Sequence, residues 1–125
     1  MCNFAVEKIP ALCGNRYIIK KLIRNGVSKY DEYMNSLNDK IKLKICSYIT
    51  YFSDYNSIPN PQKLNLIQDD KIEVQLWEFK YNEFRLYCFD DNEGKVLVLG
   101  GTKNTQKKDI ANFKKTVKEY LKENR

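Results

Sequence analysis

Between residues 72 and 101 the apolar positions fall into three short runs rich in β-branched and aromatic residues, IEVQLWEFK, EFRLYCF and KVLVLGG. Turn-forming residues separate them, first Tyr81-Asn82 and then Asp90-Asp91-Asn92-Glu93-Gly94, so the pattern predicts two consecutive hairpins. A two-residue loop at Tyr81-Asn82 sets Trp77 opposite Leu86 and Phe79 opposite Phe84 on one side of the sheet. Side chains alternate along a strand, so Glu78 opposite Arg85, Lys80 opposite Glu83 and Leu76 opposite Tyr87 then fall on the other side. One face is expected to be aromatic and apolar, the other charged and open.

Upstream, RYIIKKLIR (16–24) alternates as a strand and ends at Asn25-Gly26. Before it, Phe4, Val6 and Ile9 suit a short edge strand or an ordered arm, and Gly14-Asn15 marks a break. After it the period changes. Ser28 suits an N-cap, with Asp31 and Glu32 in the first turn, and Tyr30, Tyr33, Met34 and Leu37 recur at helical spacing. Asn38-Asp39 can cap a second helix with the stripe Ile41, Ile45, Ile49 and Phe52. Two tightly joined antiparallel helices are the expected product. Their tyrosines have helical spacing that suits the core, and the alternative is base stacking. Residues 54–71 are expected to form one long irregular connection, because Pro59 and Pro61 forbid a continuing helix. A last helix is expected from Thr105, with Ile110, Phe113, Val117 and Leu121 buried and Lys107, Lys108, Lys114, Lys115, Lys118 and Lys122 around the rest.

At 125 residues the chain is expected to form one domain, 1–125, with no internal boundary and no repeat. Its 42% hydrophobic and 13% aromatic content suits a folded protein. No apolar run approaches the roughly 18 residues that cross a bilayer. MCNFAVEKIP lacks the charged and apolar regions of a signal peptide, which points to a cytoplasmic protein. Cysteines 2, 13, 46 and 88 have no metal-ligand spacing and histidine is absent, so neither a metal site nor a cofactor is expected. The net charge of +6 is uneven: residues 1–30 carry six Lys/Arg against one acid, residues 102–125 eight against three, and residues 31–101 eight against twelve. Basic ends around an acidic middle would favour a nucleic-acid backbone if folding gathers them on one surface, and otherwise serve solubility.

RNA can be cut without a metal when its own 2′-hydroxyl attacks the adjacent phosphate. The reaction needs a proton acceptor, a proton donor for the leaving oxygen, and positive charge against the transition state. Without histidine, lysine, tyrosine and glutamate remain as proton handlers and arginine as the electrostatic clamp. Arg85 suits the clamp, because a guanidinium can grip two phosphate oxygens; the competing role is a cross-strand ion pair with Glu78. Lys80 shares that face, and Lys103 follows Gly100-Gly101, where the backbone can approach a ligand closely. Each is equally a solvated lysine at a strand end. Tyr87 suits base stacking or packing under the last helix. Glu78 suits a proton acceptor or a residue orienting Arg85, and Gln106 and Lys107 suit phosphate contact.

The order LWEFK, FRLYCF and LVLGGTKNTQKKDI before a basic helix resembles the phage-derived branch of the RelE/HigB toxin superfamily, over about the last fifty residues. Members of that branch typically show LWELR, a YR strand and a glycine-aromatic-Lys-Lys-Thr-Gln segment. The resemblance implies an α+β, RelE-like domain: an antiparallel sheet of about four strands, two N-terminal helices and a C-terminal helix. It implies a type II toxin, a metal-independent endoribonuclease cutting mRNA on the ribosome, held in check by an antitoxin protein, often of helix-turn-helix type. On that reading Arg85 stabilises the transition state, and Lys80 and Lys103 orient phosphate and share proton transfer. The chain departs from the pattern in having Lys80 for the usual Arg, Thr102 for an aromatic and Asn104 for the second Lys. The missing lysine at Asn104 favours the alternative, a non-catalytic module that binds nucleic acid or protein.

Overall fold

The structure is a computed structural model that describes residues 3–55 and 63–124. Strands β1 (Phe4–Lys8) and β2 (Ile18–Arg24) come first, linked through a 3-10 turn at Pro10–Leu12. Helices α1 (Lys29–Ser36) and α2 (Asp39–Tyr55) follow, then strands β3 (Leu64–Ile67), β4 (Leu76–Tyr81), β5 (Phe84–Asp90) and β6 (Gly94–Thr102). A 3-10 turn at Lys103–Thr105 leads into α3 (Gln106–Glu123). The expected Pro59 and Pro61 break lies outside the described residues.

The described strands form one sheet in the order β1-β2-β6-β5-β4-β3. Every neighbouring pair is antiparallel except β2 and β6, which run parallel. This overturns the expected layout of about four antiparallel strands behind two N-terminal helices. The fold is α+β, but its sheet has six described strands, is mixed, and has helices interspersed between strands. Two causes are visible. Strand β3 has four residues, too few for alternation to stand out within the stretch expected to be irregular. The β2–β6 pairing joins segments more than seventy residues apart, and no local periodicity encodes such a partner.

The helices cover both faces. Tyr30 and Met34 of α1 and Ile45, Ile49 and Phe52 of α2 pack with Ile19, Phe79, Leu86 and Leu97 on one side. Phe113 and Val117 of α3 pack with Leu22, Leu76, Tyr87, Phe89, Val96 and Val98 on the other. The expected caps form: the Asp31 amide donates to Ser28 Oγ at 3.0 Å, and the Ile41 amide to Asn38 Oδ1 at 3.0 Å. Each such cap is worth about 1 kcal/mol.

The first hairpin turns one residue later than expected. Asn82 takes a positive φ of 52° and strand β5 starts at Phe84, so Trp77 pairs with Cys88, Glu78 with Tyr87 and Lys80 with Arg85. The displacement moves each partner two positions along β5, which preserves the face of every side chain. A bulge then leaves Val98 between the Tyr87–Leu99 and Cys88–Leu97 pairs, so Val98 and Leu99 both meet the α3 side.

Beyond the bulge the chain needs two glycines for space. A Cβ on Gly100 would fall within the Tyr33 ring of α1, and one on Gly101 would overlap the Asp109 carboxylate of α3. Gly100→Ala is expected to lower stability by about 1–3 kcal/mol through overpacking, measurable as a lower urea midpoint with an unchanged slope. An unchanged midpoint would show that α1 sits less tightly on β6.

Candidate functional site

On the α3 side of the meander, Glu78 and Lys80 of β4 stand directly opposite Tyr87 and Arg85 of β5, forming a two-by-two block. Gly101 of β6 continues the row beyond Arg85. The block sits where α3 begins, and the Gln106 amide donates to Glu78 Oε2 at 2.7 Å. This face was expected to be open, and it is not. Glu78, Arg85 and Tyr87 are 3%, 7% and 0% exposed. The reason is that the same face carries Leu76, Phe89, Val96 and Val98, whose burial draws α3 down over the polar residues between them.

Arg85 is the least compensated group. Its Nη1 donates to the carbonyls of Asn82 at 2.7 Å and Phe84 at 2.9 Å, clamping the hairpin turn. Its Nε is buried without a hydrogen-bond partner. Among the described residues no carboxylate comes within ion-pair distance of it. The expected Glu78–Arg85 ion pair is absent because the displaced turn puts Tyr87 opposite Glu78. Glu78 is held instead by Gln106 and by Lys80, whose Nζ lies 3.9 Å from Oε1.

Tyr87 packs under the last helix, with its ring 5.5 Å from that of Phe113, and at 0% exposure it offers no surface to a base. Its hydroxyl lies beside Glu78 without a hydrogen bond of normal geometry. Burial, then the neighbouring carboxylate, raises its pKa well above the usual phenol value. Tyr33 reaches the same neighbourhood from the opposite face, donating its hydroxyl to the Gly101 carbonyl at 2.9 Å. Burial pushes its pKa up to about 12, outweighing the Arg85 amide and charge nearby. Tyr30 is raised as well, mainly by burial.

These three raised phenols make the fold sensitive to alkali. Unfolded tyrosine ionises near pH 10, whereas these remain protonated in the folded chain. Above about pH 10 the unfolded state therefore loses protons first, and stability falls as pH rises through the folded values. Their tyrosinate absorbance is expected to appear only together with loss of the helical circular dichroism. Titration of all tyrosines before any loss of structure would contradict the burial described.

The other residues singled out in the sequence lie around this block. Lys80 is half-buried at its rim. Lys103 is exposed in the turn after β6, where its amide donates to the Glu83 carbonyl at 2.7 Å and ties that turn to the hairpin. Lys107 is exposed on the first turn of α3 and is not drawn into the block. Asp109 escaped sequence reasoning, as did Lys95 on the other face of the sheet. Thr105 Oγ1 donates to Asp109 Oδ2 at 2.5 Å, and together they sit over Gly101, the residue paired with Arg85. An acid four residues after a threonine at a helix start was the available signal. On the other face, Lys95 is 2% exposed, bonded to Asp90 at 2.6 Å and lying over the rings of Trp77 and Phe52. A lysine in an apolar strand gave no warning of it.

Among the described residues no group of His, Cys, Asp and Glu is arranged to hold a metal ion, and no helix is long and apolar enough to cross a membrane. In comparison with known proteins, no family model, curated protein or solved structure matches this chain. Chemically, the block offers a buried guanidinium without an ion-pair partner among the described residues, an adjacent half-buried ammonium, and a carboxylate held by that ammonium.

Proposed function

We propose that this protein binds RNA phosphate at the Lys80–Arg85 row and cleaves the strand there without a metal, as the toxin of a toxin–antitoxin pair acting on ribosome-bound mRNA. The observation that carries the reading is Arg85: a buried cation whose Nε is orphaned and which has no ion-pair partner among the described residues. A buried unpaired charge is costly, and an incoming phosphate is the kind of anion that would relieve it. The resemblance of LWEFK, FRLYCF and LVLGGTKNTQKKDI to the phage-derived toxin branch supports the same site. In this mechanism Arg85 offsets the charge that develops on the phosphorus oxygens. Lys80, at the rim, orients the phosphate and delivers a proton to the leaving 5′-oxygen. Lys103, exposed beyond Gly101, steers the neighbouring phosphate and shares proton transfer by taking the proton that the 2′-hydroxyl releases as it attacks phosphorus and the bond to the 5′-oxygen breaks. Glu78 holds Lys80 in place. An antitoxin would act by covering this rim.

The burial of Arg85 and Tyr87 also favours a second reading, a binding module of the same shape without catalysis. The two separate in a translation reaction whose mRNA 5′ ends are mapped by primer extension. The wild-type protein is expected to create new ends within codons. Lys80→Ala, a change at a half-exposed position, should reduce them about 100-fold at an unchanged melting temperature. Inhibited translation with intact mRNA would decide for binding alone, and no effect on either would sink both readings.

A further inference from the structure

A cavity of about 760 Å³ lies away from the Lys80–Arg85 row, between α3, the start of α1 and the ends of β2 and β6. Its position follows from the parallel pairing of β2 with β6. Strands β2 and β6 run the same way, so their carboxyl ends meet at one edge. From there the chain enters α1 on one face and α3 on the other. Neighbouring parallel strands whose helices leave to opposite faces open a crevice at their carboxyl ends, the place where open sheets bind small ligands. The volume is that of a small-molecule site.

The lining has two chemistries. Val27 and Leu99 present apolar surface above the buried Leu22 and Val98, and Asn25 and Asn112 contribute side-chain amides, that of Asn25 already accepting from the Asn3 amide at 2.8 Å. Around them four cations, Arg24, Lys29, Lys108 and Lys115, face two carboxylates, Glu32 and Asp109. Two of the cations are already engaged: Arg24 pairs with Glu119, and Lys29 with Glu32 at 3.4 Å. Lys108 and Lys115, one above the other on α3, have no ion pair among the described residues. Asp109 is occupied by Thr105. A ligand that fits must bring negative charge to the α3 lysines, a flat, weakly polar body for the apolar surface, and hydrogen-bonding edges for the asparagines.

We propose that this cleft is a binding site for a free mononucleotide, with its phosphates on Lys108 and Lys115 and its base against Val27 and Leu99. The inference does not rest on RNA cleavage, since none of the lysines or apolar residues it uses belongs to the Lys80–Arg85 row. The test is calorimetric titration of the full chain at low salt with ADP, adenosine, inorganic phosphate and a short oligoadenylate. ADP is expected to bind saturably at one site, with adenosine and phosphate each at least about tenfold weaker. The double variant Lys108→Ala/Lys115→Ala should weaken ADP binding by about tenfold or more at an unchanged melting temperature, because both side chains are exposed. Lys80→Ala should bind ADP like the wild type. The proposal is overturned by the absence of saturable ADP binding, by phosphate binding as tightly as ADP, or by a double variant that binds normally. Oligoadenylate binding far more tightly than ADP, through the same lysines, would overturn it in favour of an RNA strand.

Discussion

Phe113→Ala should lower the unfolding free energy by about 3–5 kcal/mol, the largest stability loss expected from any single core truncation on the α3 side. Phe113 is 0% exposed, and its ring stacks obliquely on Tyr87 at 5.5 Å with the planes 32° apart. With Val117 it is one of two fully buried α3 side chains in the cluster of Leu22, Leu76, Phe89, Val96 and Val98. Truncation leaves a cavity that α3 cannot close by sliding, because Gly101, Asp109 and Thr105 fix its start against β6. The effect should reach the functional block. Loosening α3 frees Gln106 from Glu78 and admits water to the Tyr87 hydroxyl. Equilibrium urea denaturation of the variant beside Phe113→Leu checks this: the leucine should recover more than half of the loss. A loss under about 1 kcal/mol in the alanine variant would show that α3 contributes little to holding the sheet.

Arg85→Ala should reduce RNA cleavage about 100- to 1,000-fold if the guanidinium stabilises the transition state, the range for removing one fixed charge-stabilising donor. The side chain also clamps the hairpin turn through Asn82 and Phe84, so the variant removes two things at once. Arg85→Lys separates them. Lysine keeps the charge but cannot reach both carbonyls and a phosphate with one ammonium. A catalytic arginine predicts cleavage strongly reduced in both variants and a melting temperature close to wild type at least in Arg85→Lys. A turn clamp predicts lowered melting temperatures and normal cleavage by the protein that remains folded. Cleavage at the wild-type rate in a well-folded Arg85→Ala would remove this residue from the chemistry. The result bears directly on the departures at Lys80, Thr102 and Asn104, since a site with fewer basic groups leans more heavily on the one arginine.

Several elements were legible in the sequence because their signals are local. Ser28 and Asn38 cap the helices where their side chains can reach the next free amides. The stripe from Ile110 through Phe113 and Val117 to Leu121 faces the sheet as its spacing requires. The meander kept its faces although its turn moved by one residue, because a two-position shift of partner leaves side-chain parity intact. That is why Glu78, Lys80, Arg85 and Tyr87 could be placed on one side from the sequence, while the pairing among them could not.

What only the tertiary structure decided is how distant segments meet. The parallel union of β2 with β6, which opens the cleft, depends on packing between strands far apart in the chain. Edge strand β3 acquires its place from a single neighbour and its short run carries little pattern of its own, whereas β1 lies where Phe4 and Val6 suited an edge strand. The bulge at Val98 and the close approach of Tyr33 and Asp109 to the two glycines follow from where the helices land. Above all, the charged face looked open because alternation records which side a residue takes and not what will cover it. The apolar neighbours on that side brought α3 down, and their burial turned Arg85 from a surface cation into a buried one without an ion-pair partner among the described residues.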